Sequence, residues 1–228
     1  DELSNRPRSM LTGPMGRVWT ASMPDYGRWG GPLSWYDPSS GERLAYGDVA
    51  GDGSCYSLAG LRDLGLIAVG TTIEAGSGTQ PRRRKASLVL WDYEREQTVW
   101  EGGFDGDEPV HVVNALLADG DDLYGTLHRD TDSGQLFRFD SRSRTVVETV
   151  RLPDRPLDLG LVPSPEGDAV FGFTLNSVYR LTTHPLGFQE ILRDEDEGFR
   201  VAGPVVRTPG GWRLLFGRTQ RLMAIDLP

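Results

Sequence analysis

The feature that most constrains this chain is an internal repeat. Five times, an apolar run rich in small residues is followed by a tight polar turn and a second apolar run. The pairs are Met10-Leu-Thr-Gly-Pro and Val18-Trp-Thr-Ala-Ser; Ser57-Leu-Ala-Gly-Leu and Ile67-Ala-Val-Gly-Thr; Val112-Val-Asn-Ala-Leu and Leu123-Tyr-Gly-Thr-Leu; Leu157-Asp-Leu-Gly-Leu and Val170-Phe-Gly-Phe-Thr; Val201-Ala-Gly-Pro-Val and Leu214-Leu-Phe-Gly-Arg. Turns such as Asp119-Gly-Asp-Asp, Pro165-Glu-Gly-Asp and Pro209-Gly-Gly are hairpin signals. A third run, alternating with period two, follows in every unit. These runs begin at Leu33, Leu88, Leu136, Val178 and Leu222, spaced by 55, 48, 42 and 44 residues. A fourth run closes the first four units. No segment sustains helical spacing.

A period of about 45 residues carrying four strands is that of a β-propeller blade. The reading is therefore all-β: four-stranded antiparallel blades at about 9-50, 55-104, 110-152, 156-193 and 200-228, within one domain covering 1-228. Inner strands are expected near 9-14, 55-62, 110-118, 156-163 and 200-207. The small residues Gly13, Gly60, Ala115, Gly160 and Gly203 are expected at one depth of these strands. The fifth unit stops after its third strand. Residues 1-8 would have to supply the missing outer strand, and two prolines and several charges suit them poorly to it. A closed five-bladed ring and part of a larger propeller both stand, the second exposing blade edges that associate with missing blades or another chain. The 228 residues suffice for a core without a disulfide framework, and 29 Gly and 15 Pro fit many turns.

The segment Asp37-Pro-Ser-Ser-Gly-Glu42, with the recurring pattern of two apolar residues, Gly-Thr, a loop and Leu-x-x-aromatic-Asp, resembles bacterial propellers of the broad quinoprotein, YVTN and SMP-30 kind. The resemblance covers nearly the whole chain. It implies that the loops between second and third strands share one face with the connections between units. The recurrent Gly-His and Trp-Asp signature of WD40 proteins is lacking; Trp91-Asp92 stands alone. The fold hosts binders, lyases, lactonases and dehydrogenases, so it does not name an activity.

A net charge of -9 argues against a nucleic-acid partner, which needs a basic surface. No apolar run is long enough to span a membrane. The single cysteine, Cys55, cannot form an intrachain disulfide and is expected to be buried and inert. Asp1 is preceded by no initiator methionine. An extracellular or periplasmic location fits if a signal segment was removed before it.

Two loops between second and third strands are long, Ser22 to Pro32 and Thr72 to Ala86, and elaboration on one face marks function. Tyr26, Arg28 and Trp29 lie on the first. Aromatics with an arginine suit sugars and uronates, through ring packing and a guanidinium fork; the alternative is that the rings fold back over the blade edge. Arg82, Arg83 and Arg84 lie on the second loop and are expected either to attract an anionic ligand or to form a solvated tip. His111 and His128 fall at the same end of the third unit, with Glu108 and Asp130 as nearby carboxylates, and His184 at the other end. Tyr26, His111 and His128 are the candidate proton acceptors. Asn114 and Asp158, on inner strands, are candidate ligands for Ca²⁺ or another divalent cation. The resemblance to SMP-30-like lactonases implies a metal held by Glu, Asn and Asp from inner strands, and an inner-strand Glu is missing here. No other cofactor is evident. The acidic run 194–197 lacks the pattern of an EF-hand loop.

These features lead to a binding module that presents its loop-elaborated face to a carbohydrate or protein ligand. The alternatives are a polysaccharide lyase on a uronate-containing glycan and, less favoured, a metal-dependent lactonase. Tyr26, Arg28, Trp29 and His111 are expected to rim one shallow pocket, with His128 further out.

Overall fold

The structure, a computed structural model, describes residues 6–129, 133–218 and 220–227. Residues 1–5 and Asp130 lie outside the described residues. Regular structure is almost entirely strand. The first unit comprises β1 (Arg6–Thr12), β2 (Val18–Met23), β3 (Leu33–Tyr36) and β4 (Arg43–Tyr46). The second comprises β5 (Ser54–Leu61), β6 (Leu66–Thr72), β7 (Leu88–Asp92) and β8 (Gln97–Gly102). The third is β9 (Val110–Asp119), β10 (Asp122–Arg129), β11 (Gly134–Asp140) and β12 (Thr145–Arg151). The fourth is β13 (Pro156–Pro163), β14 (Val170–Thr174), β15 (Ser177–Thr183) and β16 (Leu186–Arg193). The fifth has β17 (Val201–Thr208), β18 (Gly211–Arg218) and β19 (Arg221–Leu227). Each unit is an antiparallel meander in chain order; one further bridge, Thr72 to Val112, joins the second and third into an eight-stranded sheet. Among the described residues, the only helical turns are two three-residue 3-10 segments at Pro14–Gly16 and Arg62–Leu64.

Alternation along each strand sends apolar side chains to the neighbouring units. Trp19, Leu33 and Trp35 of the first unit meet Ile67, Val69 and Trp91 of the second. Ala68, Leu88 and Leu90 project from the opposite face of the second unit onto Leu116, Phe137 and Phe139 of the third. Tyr124 and Leu136 meet Tyr179 and Leu181 at the next junction, and Phe171 and Phe173 meet Leu214 and Phe216 at the last. Every residue of β6 and β7 is therefore buried, as strands covered on both faces should be. The first strands also pack in succession: β1 on β5, β5 on β9, β9 on β13 and β13 on β17. Among the described residues no comparable packing joins β17 to β1. Met10 is 72% exposed, Val201 61% and Leu222 77%.

Two sequence expectations change. Arg6 and Pro7 pair with Met23 and Ser22, so these residues belong to the first strand of the first unit and not to an outer strand of the fifth. The small residues do not share one depth. Gly60 faces Ile67, one pair from the hairpin at Leu61–Leu66, whereas Ala115 faces Thr126, well before the hairpin pair Asp119–Asp122. The reason is an irregularity in the first strands. In β1 the pairing steps from Pro7–Ser22 to Ser9–Ala21, leaving Arg8 extra. In β5 it steps from Cys55–Thr71 to Ser57–Gly70, leaving Tyr56 extra. In β9 the pairs Val113–Leu127 and Ala115–Thr126 leave out Asn114, and Val110–Arg129 and Val112–His128 leave out His111. In β13 pairing breaks between Pro156 and Leu161, across Asp158. In β17 it breaks between Ala202 and Val205, across Gly203 and Pro204.

Candidate ligand-binding site

A β-bulge re-aims the side chain it leaves unpaired, and bulges cluster beside functional sites. Here the residues re-aimed in four consecutive units meet one another. The Tyr56 hydroxyl donates to Asp158 Oδ2 at 2.6 Å. Asn114 Nδ2 donates to Asp158 Oδ1 at 3.0 Å. Asn114 Oδ1 stands 3.0 Å from His128 Nδ1. The Arg8 guanidinium lies over the Tyr56 ring, 5.3 Å from its centroid. Tyr56 thus reaches from the second unit to the fourth, past the first strand of the third. In the fifth unit the corresponding break carries Gly203 and Pro204, which have no polar side chain to add.

The hydrogen bonds determine proton positions. An ionised Asp158 only accepts, so the Asn114 amide nitrogen must face it and the amide oxygen must face His128. His128 Nδ1 therefore carries the proton of that hydrogen bond. Asn114 is fully buried and His128 nearly so, while Asp158 is exposed. The line thus runs from a buried anchor to a carboxylate at the surface. Burial first, and the Asp158 carboxylate second, push the Tyr56 hydroxyl well above its ordinary pKa, so it remains a donor. The Tyr56 side chain is held by Met23 and Val112. Leu159, beside Asp158, has φ +54 and is exposed. A left-handed conformation at a bulky residue costs energy, and such strain concentrates at binding sites.

The other candidates have separate settings. Tyr26 is 72% exposed, with its ring over Gly78 of the second long loop. Trp29 Nε1 donates to the Gln80 carbonyl at 3.0 Å, and the Arg82 guanidinium covers one ring face at 3.6 Å. Gly27 and Gly76 complete the docking of the two loops, through Ser77 and the Arg28 carbonyl. Arg83 donates to the Ala50 carbonyl at 2.6 Å and pairs with Glu101, tying loop to sheet. Arg84 is exposed. His111 sits with its ring edge toward His128, centroids 6.2 Å apart, and its carbonyl receives the Ile73 N–H at the base of the second loop. His184 lies 4.0 Å from Asp122, at the other end of β10 from His128. Asp194 and Glu197 of the acidic run pair with Arg218. Cys55 is buried, which raises its thiol pKa strongly.

Among the described residues, no group of three or more His, Cys, Asp and Glu side chains is placed to hold a metal ion. The two oxygen-bearing groups expected to ligate one, Asn114 and Asp158, are bonded to each other. A cavity of about 260 Å³ lies elsewhere, lined by Glu108, Leu127, Arg129, Gln135 and Arg151. Its Arg129 is spent on the framework, donating to the Asp105 and Glu108 carbonyls. Among the described residues, no helix is long and apolar enough to cross a membrane.

Of the residues in this polar line, Asn114, Asp158 and His128 are among the sequence candidates, whereas Tyr56 and Arg8 are not. Tyr56 was hidden because aligning the small residues puts Ser57 opposite Val112, whereas the bulges put Tyr56 opposite Asn114.

The chain folds as an all-β repeat of antiparallel three- and four-stranded sheets, and solved structures with this architecture are propeller-like. The extracellular domain of BT4673 from B. thetaiotaomicron aligns with 97% of this chain and 29% of its own length, at 14% identity and a TM-score of 0.64. The WD40 repeats of RRP9 align with 89% of this chain and 55% of their own, at 13% identity and a TM-score of 0.61. The structure of U3-55K gives 89%, 55%, 14% and 0.59 for the same measures. The chain thus spans about 29% to 55% of the length of these structures. At such identities the likeness is one of fold. No protein-family model matches the sequence, and no curated protein matches it significantly.

Proposed function

We propose that this chain is a propeller binding module whose ligand, a carbohydrate, sits over Asp158 where the re-aimed residues of four units converge. The observation that carries this reading is the exposed Asp158 carboxylate, held by Tyr56 and, through Asn114, backed by His128. A scaffold needs only apolar or small groups along packed first strands. Four successive units instead contribute polar or charged side chains through bulges, and such concerted exceptions belong to sites. The two long loops, docked on each other through Trp29 and Arg82, form a wall on the side of β5 and β9, to which Ser54 and His111 tie them. The extracellular domain and the WD40 repeats to which the chain is similar are compatible with a binding role. The five units build all or part of a propeller ring in this reading, and the resemblance to quinoprotein-type propellers remains part of it.

The test is a screen of immobilised glycans with the wild-type chain and Asp158→Ala. The expected result is a bound glycan whose signal falls at least ten-fold in the variant, with the melting temperature nearly unchanged. A glycan retained equally by both would move the site elsewhere.

A further inference from the structure

The hydrogen-bond ledger of Asp158 specifies the chemistry of the ligand, resting on the binding reading above. An ionised carboxylate accepts in about four lone-pair directions. Asp158 Oδ2 has accepted one bond from Tyr56, and Oδ1 one from Asn114. One direction on each oxygen is left on an exposed residue. Three donors beside Asp158 point inward: the Tyr56 hydroxyl and an Asn114 amide N–H to Asp158, and the His128 Nδ1–H to Asn114. Toward the outside, the line therefore offers a pair of coplanar acceptors a carboxylate's width apart. That is the counterpart of two donors on neighbouring atoms, as a guanidinium fork is the counterpart of two acceptors.

Charge narrows the class further. An incoming carboxylate would stand against Asp158 at contact distance. An incoming cation would meet Arg8, already placed over the same tyrosine ring. A neutral polyol meets neither penalty. The exposed Leu159 side chain, next to Asp158 in the break of β13, supplies an apolar surface for sugar C–H groups.

We infer that the site takes a neutral sugar through two adjacent hydroxyls donated to Asp158, and discriminates against uronates. This sets it apart from a lyase site, which must neutralise a substrate carboxylate.

The experiment is titration calorimetry at low ionic strength. The probes are neutral gluco-, galacto- and xylo-oligosaccharides and oligogalacturonate of equal length. At least one neutral series should bind at least ten-fold more tightly than oligogalacturonate. Asp158→Asn, which keeps the shape but removes the charge and presents an amide donor, should weaken neutral binding at least ten-fold and narrow the gap to the uronate. Uronate binding equal to or tighter than neutral binding would overturn the inference while leaving the module reading intact, as would neutral binding indifferent to Asp158→Asn. The ratio in the wild-type protein decides the question even if the variant folds poorly. Absence of binding by every glycan, neutral or acidic, would overturn the carbohydrate-module reading itself. Binding of a lysine-rich peptide at Asp158 in preference to sugars would overturn the ligand class.

Discussion

The second unit and the fifth are built from the same repeat, yet their strands differ. In the second, β6 and β7 are buried at every position, because the first unit covers one face and the third covers the other. In the fifth, β18 buries Leu214 and Phe216 against the fourth unit, while Val201, Val206 and Leu222 remain exposed. The first unit behaves likewise: Trp19 and Trp35 are buried toward the second unit, and Met10 and Tyr36, which lie on the other face by register, are exposed. A unit's stability is thus a property of its junctions more than of its own hydrogen-bonded meander, as in other repeat architectures.

The sharpest way to break this comparison is to truncate at a junction. Phe137 is fully buried between the second and third units, with its ring 4.8 Å from Phe104. Phe137→Ala should cost about 3–5 kcal/mol in denaturant unfolding. A cost below about 1 kcal/mol would mean that the junction is not the source of stability.

The polar line should give the next largest effect. Asn114→Ala leaves His128 Nδ1–H without its buried acceptor and removes one donor from Asp158. The expected loss is about 1–3 kcal/mol. Asp158→Ala, at the exposed end, should cost less stability and more binding. That inequality, read by unfolding and glycan titration on both variants, distinguishes a site from a structural network.

Alkaline pH probes the same contrast. Tyr56 and Tyr179 are raised well above their ordinary pKa by burial, and Tyr46 is pushed up to about 12, also by burial first. A tyrosine raised in the folded state contributes stability that is complete below its unfolded pKa, near 10, and is lost as pH climbs from there toward the folded value. Stability should therefore fall above about pH 10, by up to about 1.4 kcal/mol per pH unit for each such tyrosine. Tyr56→Phe should flatten the fall, as followed by unfolding at pH 8 to 11. An unchanged slope would show that Tyr56 ionises freely.

Smaller effects belong to the loops and the end faces. Trp29→Ala removes a carbonyl hydrogen bond and a stacked guanidinium, for about 1 kcal/mol. It should speed proteolysis within 73–87 before it changes glycan binding. Met10→Ala and Leu222→Ala should each stay within about 0.5 kcal/mol, as exposed substitutions do. A cost of about 2 kcal/mol at either, especially one that grows with protein concentration, would show that the end face is covered in solution.

The sequence by itself determined the strands and their number. Runs of alternating apolar residues separated by Gly, Pro and Asp turns specify hairpins locally, so a start expected near 55 or 156 meets β5 at Ser54 and β13 at Pro156. It also singled out His111, His128, Asn114 and Asp158, because polar side chains in otherwise apolar runs stand out. What it did not determine is how the units register against one another. A bulge inserts one residue without a distinct composition, so the alignment of small residues placed Tyr56 away from Asn114 and left Arg8 in a poor strand. The long loops show the same division. Their length and aromatics were legible at once. That Trp29 lies under Arg82, and that Arg83 binds Ala50 and Glu101, is decided only when the two loops dock. Strand identity depends on neighbours along the chain. Which polar groups meet depends on twist, bulges and the packing of distant units, and only the tertiary structure brings Asp158 within 2.6 Å of Tyr56 across 102 residues.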